Sequence, residues 1–149
     1  MPPDSSRPGI VHNDHKLDNC VLDEKVPTRI TGILDWEMAT IGYPLMDLGN
    51  SLGYWVQAND PPDVAMMRTM PTHLKGALTR EEIITRYAKK SGRSTSNFNF
   101  YLCFGLFRLA VIAQQIYYRY YHGQTKDERF KKLIFLVHIL EKAARQYLK

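Results

Sequence analysis

Val11 to Asn19 reads VHNDHKLDN, nine residues that hold two histidines, two aspartates, a lysine and two asparagines. A stretch so polar, followed at once by the apolar Cys20-Val21-Leu22, reads as a loop that carries chemistry. Asp14 and Asn19 lie five positions apart, and a second carboxylate, Asp35, follows an apolar run from Arg29 to Leu34. Brought together, these groups offer an amide oxygen and a carboxylate oxygen to a hard divalent cation. Mg²⁺ takes one or two protein carboxylates and completes its shell with water and phosphate oxygens. A further carboxylate is then left to accept a hydroxyl proton. Those are the parts that phosphoryl transfer needs.

Such a site needs scaffolding, and the sequence supplies its signals. Asn19 to Leu22 reads as a short strand, Asp23 to Pro27 as turn material, and Arg29 to Leu34 (RITGIL) as a β-branched second strand. The two make a hairpin whose matched lengths bring Asn19 near Asp35. Ile10-Val11 reads as a very short strand or a loop entry, and Trp36 to Pro44 as a loop closed by Gly42-Tyr43-Pro44. Pro44 suits the first turn of a helix running to about Gln57. Residues 60–78 are weakly patterned and read as a crossing loop. Thr79-Arg80-Glu81-Glu82 is a capping box that opens a helix ending near Ser91-Gly92. Asn97 to Tyr121 reads as a long helix, apolar on nearly every side, that forms the buried centre of a bundle. Asp127 to Lys149 reads as a last amphipathic helix with Leu133, Leu136, Val137, Leu140, Ala144 and Leu148 on one face. The fold class expected is mainly α with a small β-hairpin (α+β). Residues 1–9 read as a disordered lead-in, 10–50 as catalytic loop, hairpin and metal-binding segment, and 51–149 as a helical bundle.

Three elements in fixed order then resemble a known family. His12-x-Asp14-x-x-x-x-Asn19, Ile33-Leu34-Asp35-Trp36-Glu37 and Gly42-Tyr43-Pro44-Leu45-Met46-Asp47-Leu48-Gly49 are similar to the core motifs of the aminoglycoside phosphotransferase and choline kinase-like family. These are small-molecule kinases with a protein-kinase-like fold. The Asp-Trp-Glu form looks closest to the phosphotransferase-like domains of acyl-CoA dehydrogenase-associated proteins. The resemblance implies ATP and Mg²⁺ as cofactors and a small-molecule hydroxyl as acceptor. It implies that Asp14 orients and deprotonates that hydroxyl and that Lys16 offsets the charge of the transferred phosphoryl group. Asn19 and Asp35 are implied as metal ligands, and Val21 and Leu34 as the apolar floor under the adenine. The resemblance further implies that His12 supports the loop by hydrogen bonds, that Asp47 braces it through backbone N–H groups, and that Glu37 adds an outer metal or substrate contact. Trp36 reads as a packing residue, and His15, His73, His122 and His138 as structural or exposed.

The sequence departs from the pattern at two positions. Asn13 stands where the family has glycine, and asparagine tolerates left-handed backbone angles better than most residues. Tyr43 replaces the acid of the family's Gly-Asp-Pro. A larger departure lies upstream. The nucleotide-gripping lobe of such kinases supplies a glycine-rich loop and a strand lysine held by a helix glutamate, and only eleven residues precede His12. The expectation is the C-terminal lobe of a kinase-like fold with the N-terminal lobe absent, weak or inactive alone. It is completed as a homodimer or by a separate N-lobe partner. The alternative is a non-catalytic binding or regulatory module that assembles in the same way. A transition-metal site built from His12, Asp14, His15 and Asp35 is a weaker reading, because such His-Asp pairs normally sit on helices.

Composition narrows the remaining classes. At 149 residues the chain has the length of one domain, with an ordinary apolar fraction of 44%. Residues 1–64 hold 4 Lys and Arg against 10 Asp and Glu, while residues 65–149 hold 16 against 5. An acidic first half suits a cation site. The scattered basic charges of the second half read as solvated helix faces, which makes nucleic acid an unlikely partner. Arg108 and Gln114-Gln115 inside the longest apolar stretch argue against a membrane span. Cys20 and Cys103 form neither a disulfide framework nor a metal spacing, and the N-terminus lacks the apolar run of a signal peptide. A cytoplasmic setting is expected.

Overall fold

A computed structural model describes residues 7–148. Two small antiparallel ribbons precede a set of helices, and the architecture is mainly α with a β-hairpin. Most of the lead-in expected over 1–9 lies outside the described residues. Gly9 already belongs to the first strand.

The hairpin pairs β2 (Cys20–Leu22) with β3 (Ile30–Ile33), in the register Cys20↔Ile33, Val21↔Gly32 and Leu22↔Ile30. The odd spacing between Val21 and Leu22 is a bulge, which absorbs one extra residue and tightens the twist. Asp23 closes the turn, its Oδ1 accepting from the N–H groups of Lys25 and Val26 at 2.9 and 3.1 Å. Pairing continues one step past the strands, because the Leu34 N–H donates to the Asn19 carbonyl at 2.9 Å. The second ribbon joins β1 (Gly9–Val11) to β4 (Thr40–Gly42). The expected loop over 36–44 therefore contains a strand. Three residues are too few to show a period, and their backbone groups are satisfied by a segment some thirty positions away.

Pro44 opens α1 (Pro44–Gly53), which stops short of Gln57 because the Trp55 N–H turns back to the Leu52 carbonyl at 3.1 Å. A short helix, α2 (Pro62–Ala65), interrupts the crossing segment. Next comes α3 (Arg80–Ser91), with its capping box formed in both directions: Glu82 N–H donates to Thr79 Oγ1 at 3.2 Å, and Thr79 N–H donates to Glu82 Oε2 at 2.7 Å. The long helix α4 (Phe98–Tyr121) packs between α1 and α5 (Leu133–Arg145). A 3₁₀ turn, Glu128–Lys132, leads into α5.

The core gathers Leu45 and Leu52 of α1, Phe98, Tyr101, Leu102 and Leu106 of α4, and Leu140, Ala143 and Ala144 of α5. On α4 these residues fall on one stripe at helical spacing. The helix is thus not enclosed on all sides as its sequence suggests: Phe107 is 60% exposed and Tyr121 71%. Leu148, expected on the apolar face of the last helix, lies beyond the end of α5 and outside the core. α1 and α4 cross at glycines. A Cβ on Gly49 would stand 2.2 Å from the Tyr101 carbonyl oxygen, and one on Gly105 would stand 2.1 Å from the Gly49 carbonyl oxygen. No larger residue fits at that crossing.

Candidate active site

The loop from His12 to Asn19 is held from three directions. Asp47, in the first turn of α1, accepts two backbone N–H groups with its two oxygens: His12 N–H on Oδ2 and Asn13 N–H on Oδ1, both at 2.8 Å. Pro44 starts α1 and so sets where Asp47 points. Ser51, one turn on, donates its hydroxyl to the His15 carbonyl at 2.6 Å. From the hairpin side, His12 Nε2 bonds the Leu34 carbonyl at 2.7 Å. A carbonyl can only accept, so Nε2 carries the proton and Nδ1 is left to accept the Asp14 N–H at 3.3 Å. Both ring nitrogens are thereby used inside the protein. His12 is buried, with the Trp36 ring against it at 4.7 Å between centroids. Trp36 itself remains half exposed and donates its Nε1–H to the Ile33 carbonyl at 2.7 Å.

Asp14 sits at the centre. Its Oδ2 accepts from Lys16 Nζ at 2.9 Å and from Asn19 Nδ2 at 3.1 Å. Asn19 Nδ2 also reaches the Asp14 carbonyl at 2.8 Å. One carboxylate oxygen is therefore gripped, and Oδ1 has no protein partner among the described residues. The Asn19 amide is oriented by its two donations, so its oxygen faces away from them and also takes no protein hydrogen bond there. Lys16 lies 5.5 Å from the centre of the Tyr54 ring as well as on Asp14. Burial works against the lysine's charge, but the hydrogen bond and the negative field of Asp14 overcome it and hold the ammonium above its usual value of 10.5. Burial, and then the Asp14 charge, push the Tyr54 phenol up.

Asp35 is reached through the hairpin. It caps the 3₁₀ turn Trp36–Met38 with φ 65 and ψ 52, the left-handed region where a non-glycine residue is strained. Its exposed carboxylate has no protein partner among the described residues. The Asn19–Leu34 backbone bond places Asp35 one residue from that link. Free oxygen donors from an amide and a carboxylate, with no thiolate or imidazole among them, suit Mg²⁺ rather than zinc. The transition-metal reading through His12 fails on geometry, because neither ring nitrogen is free to ligate. Glu37 is exposed on the 3₁₀ turn, and among the described residues it makes no hydrogen bond or ion pair to the other site groups. Val21 and Leu34 are 40% and 55% exposed, an open apolar face on the hairpin.

Residues 1–78 match the phosphotransferase enzyme family. The chain belongs to that family. The phosphotransferase likeness extends through the helical half in structure. The crystal structure of a protein from Ralstonia eutropha JMP134 assigned as an aminoglycoside phosphotransferase superposes with a TM-score of 0.75 at 26% identity, covering 97% of this chain and 45% of that one. The fold is accordingly the helical lobe of a kinase-like phosphotransferase. Among curated relatives, acyl-CoA dehydrogenase family member 11 of Homo sapiens is 35% identical over 132 residues, which is 86% of this chain and 16% of that protein. Member 10 of Mus musculus is 33% identical over 127 residues, 84% of this chain and 12% of that protein. The chain thus spans a small part of the length of the curated relatives it matches.

Two residues of this site carry no sequence signal of their own. Tyr54, at the end of α1, supports Lys16. Arg108, on α4, donates Nη1–H to the Asn13 carbonyl. Its position inside an apolar helix marks it as a buried-face cation, but not as a partner of a loop 95 residues away.

Proposed function

We propose that this chain carries the catalytic and metal-binding half of a phosphotransferase site that moves the γ-phosphoryl group of ATP to a small-molecule hydroxyl. The observation that carries the reading is the state of Asp14, with Oδ2 fixed by Lys16 and Asn19 and Oδ1 left for an acceptor. A carboxylate so held can take a hydroxyl proton without losing its orientation. Lys16 lies two residues on, where its charge offsets that of the phosphoryl oxygens. Asn19 and Asp35 supply the oxygen ligands for Mg²⁺, which when bound neutralises phosphate charge. Asp47 and His12 keep the loop in register, and Glu37 serves an outer contact.

Val21 and Leu34 offer an apolar surface to the adenine from one side only. Positioning accounts for most of what such enzymes contribute. No glycine-rich loop or lysine–glutamate pair of a nucleotide-gripping lobe occurs among the described residues. The 149-residue chain by itself therefore binds Mg·ATP weakly, in the millimolar range, and transfers phosphate slowly or not at all. Titration with Mn²⁺·ATP, followed by amide line broadening, tests this. Broadening centred on Asn19 and Asp35 that Asp35→Asn removes is the expected result. Broadening elsewhere, or unchanged in the variant, rejects the site, and micromolar affinity rejects the claim of weakness.

A second reading is favoured by the hairpin, whose apolar Val21, Leu22, Ile30, Ile33 and Leu34 are each exposed. In it the chain is an assembly module whose hairpin docks on a nucleotide-binding lobe or on a second copy. Light scattering at micromolar concentration separates the two. A dimer supports assembly with a second copy, and a monomer leaves the lobe as the hairpin's cover.

A further inference from the structure

Asn13 occupies the position between His12 and the candidate base Asp14 with φ 66, a backbone conformation that favours glycine. Three hydrogen bonds hold it there. Its N–H donates to Asp47 Oδ1 at 2.8 Å, its side-chain Nδ2 donates to the Met38 carbonyl at 2.9 Å, and its carbonyl accepts Arg108 Nη1–H. The other end of the same guanidinium lies 3.8 Å from Met38 Sδ. Met38 closes the 3₁₀ turn that Asp35 opens. Asn13, Met38 and Arg108 thus form a triangle, and each corner of it lies on a different element: the base loop, the metal turn and α4. The other site contacts hold the loop to α1, to the hairpin and, through the His12–Trp36 ring contact, to the near end of the turn. Together with the Val11↔Thr40 strand pairing, this triangle ties the Asp14 loop to the far end of the Asp35 turn, and it alone adds α4 to that junction among the described residues.

We infer that Arg108 and Asn13 form a latch that sets the separation of the Asp14 loop and the Asp35 turn, with Arg108 as a positioning residue contributed by the helical half. The inference rests on the phosphotransferase reading of the site. A planar fork suits this role. One guanidinium reaches both corners at once, which a lysine ammonium on its flexible stem cannot do. The asparagine in turn does what glycine at the same position could not, because its amide crosses to Met38.

The test is Mn²⁺ affinity of the full 149-residue chain, read by electron paramagnetic resonance and compared with thermal melting of the same samples. Residues that orient metal ligands from behind typically change metal affinity about tenfold or more. Arg108→Gln is expected to weaken Mn²⁺ binding about tenfold, and Arg108→Lys to fall well short of the wild type. Asn13→Gly separates positioning from stability. It relieves the left-handed backbone, so its melting temperature holds or rises, while its Mn²⁺ affinity falls. That opposite movement is one a merely structural role does not produce, and it remains readable if the Arg108 variants fail to fold. Wild-type affinity in Asn13→Gly, or in folded Arg108→Gln, overturns the latch. Full rescue by Arg108→Lys replaces the fork with simple charge and overturns it too. Asp35→Asn is the control: wild-type affinity there rejects the metal site itself, whereas lost affinity there with unchanged latch variants rejects only the latch.

Discussion

Gly49 and Gly105 meet backbone to backbone, and their crossing sets the distance between two residues, Asp47 and Arg108, that grip the His12–Asn19 loop. Asp47 lies two positions before Gly49 on α1, and Arg108 lies three positions after Gly105 on α4. The helices approach so closely that a Cβ on Gly105 would sit 2.1 Å from the Gly49 oxygen and 2.5 Å from its carbonyl carbon. Backbone atoms are the obstacle there, so rotation of a side chain cannot relieve the clash.

Gly105→Ala should therefore destabilise the fold, although alanine is the better helix former by about 1 kcal/mol. Overpacking at a rigid contact costs about 1–3 kcal/mol, occasionally more. A net loss of about 2 kcal/mol in urea denaturation is expected. An unchanged midpoint would mean that α1 and α4 are free to separate.

Asp47→Asn should loosen the loop. The amide keeps one acceptor oxygen and presents an N–H₂ to the second backbone donor, so either His12 N–H or Asn13 N–H loses its partner. Leaving a partly buried N–H without its charged acceptor costs about 1–3 kcal/mol. Faster hydrogen exchange at residues 12 and 13, with α5 unchanged, is the local signature to measure.

Asp35→Gly should stabilise the folded chain while removing a proposed metal ligand. Asp35 pays the strain of φ 65 with no protein hydrogen bond among the described residues to offset it. Glycine adopts that region without strain, although it gains freedom in the unfolded chain. A melting temperature at or above that of the wild type, together with lost Mn²⁺ binding, is the expected pair of results. A clear drop in melting temperature would show that the carboxylate serves the fold.

Lys16 gives a pH dependence whose sign follows from its partners. Its ammonium is held above 10.5 by Asp14, so the folded state binds that proton more tightly than the unfolded chain. The stabilisation is fully present below the unfolded value and fades as pH rises through the folded one. The stability gap between wild type and Lys16→Met should therefore stay constant from about pH 6 to pH 9 and shrink above about pH 10.5. A gap that closes between pH 6 and 8 would assign it to another group.

Much of the site was readable in order along the chain. The loop, the hairpin and the capping box at Thr79 rest on contacts a few residues apart, and such contacts leave short-range marks in residue type and spacing. Pairing at Asn19 and Leu34 follows from two strands of matched length, so the approach of Asn19 to Asp35 was legible as well. Other features had no such mark. The pairing of β1 with β4, the open face of α4 and the glycine crossing all depend on which distant segment lies alongside. The same holds for the reach of Arg108 to Asn13. A cation within an apolar helix signals only that its charge needs an acceptor, and the one it found is a carbonyl turned outward by a left-handed residue in another element. The sequence by itself determined which groups could do chemistry, because residue identity and local spacing carry that. Only the tertiary structure decided how those groups are held apart and aimed, because close packing between α1, α4 and the loop is a property of surfaces that no local pattern records.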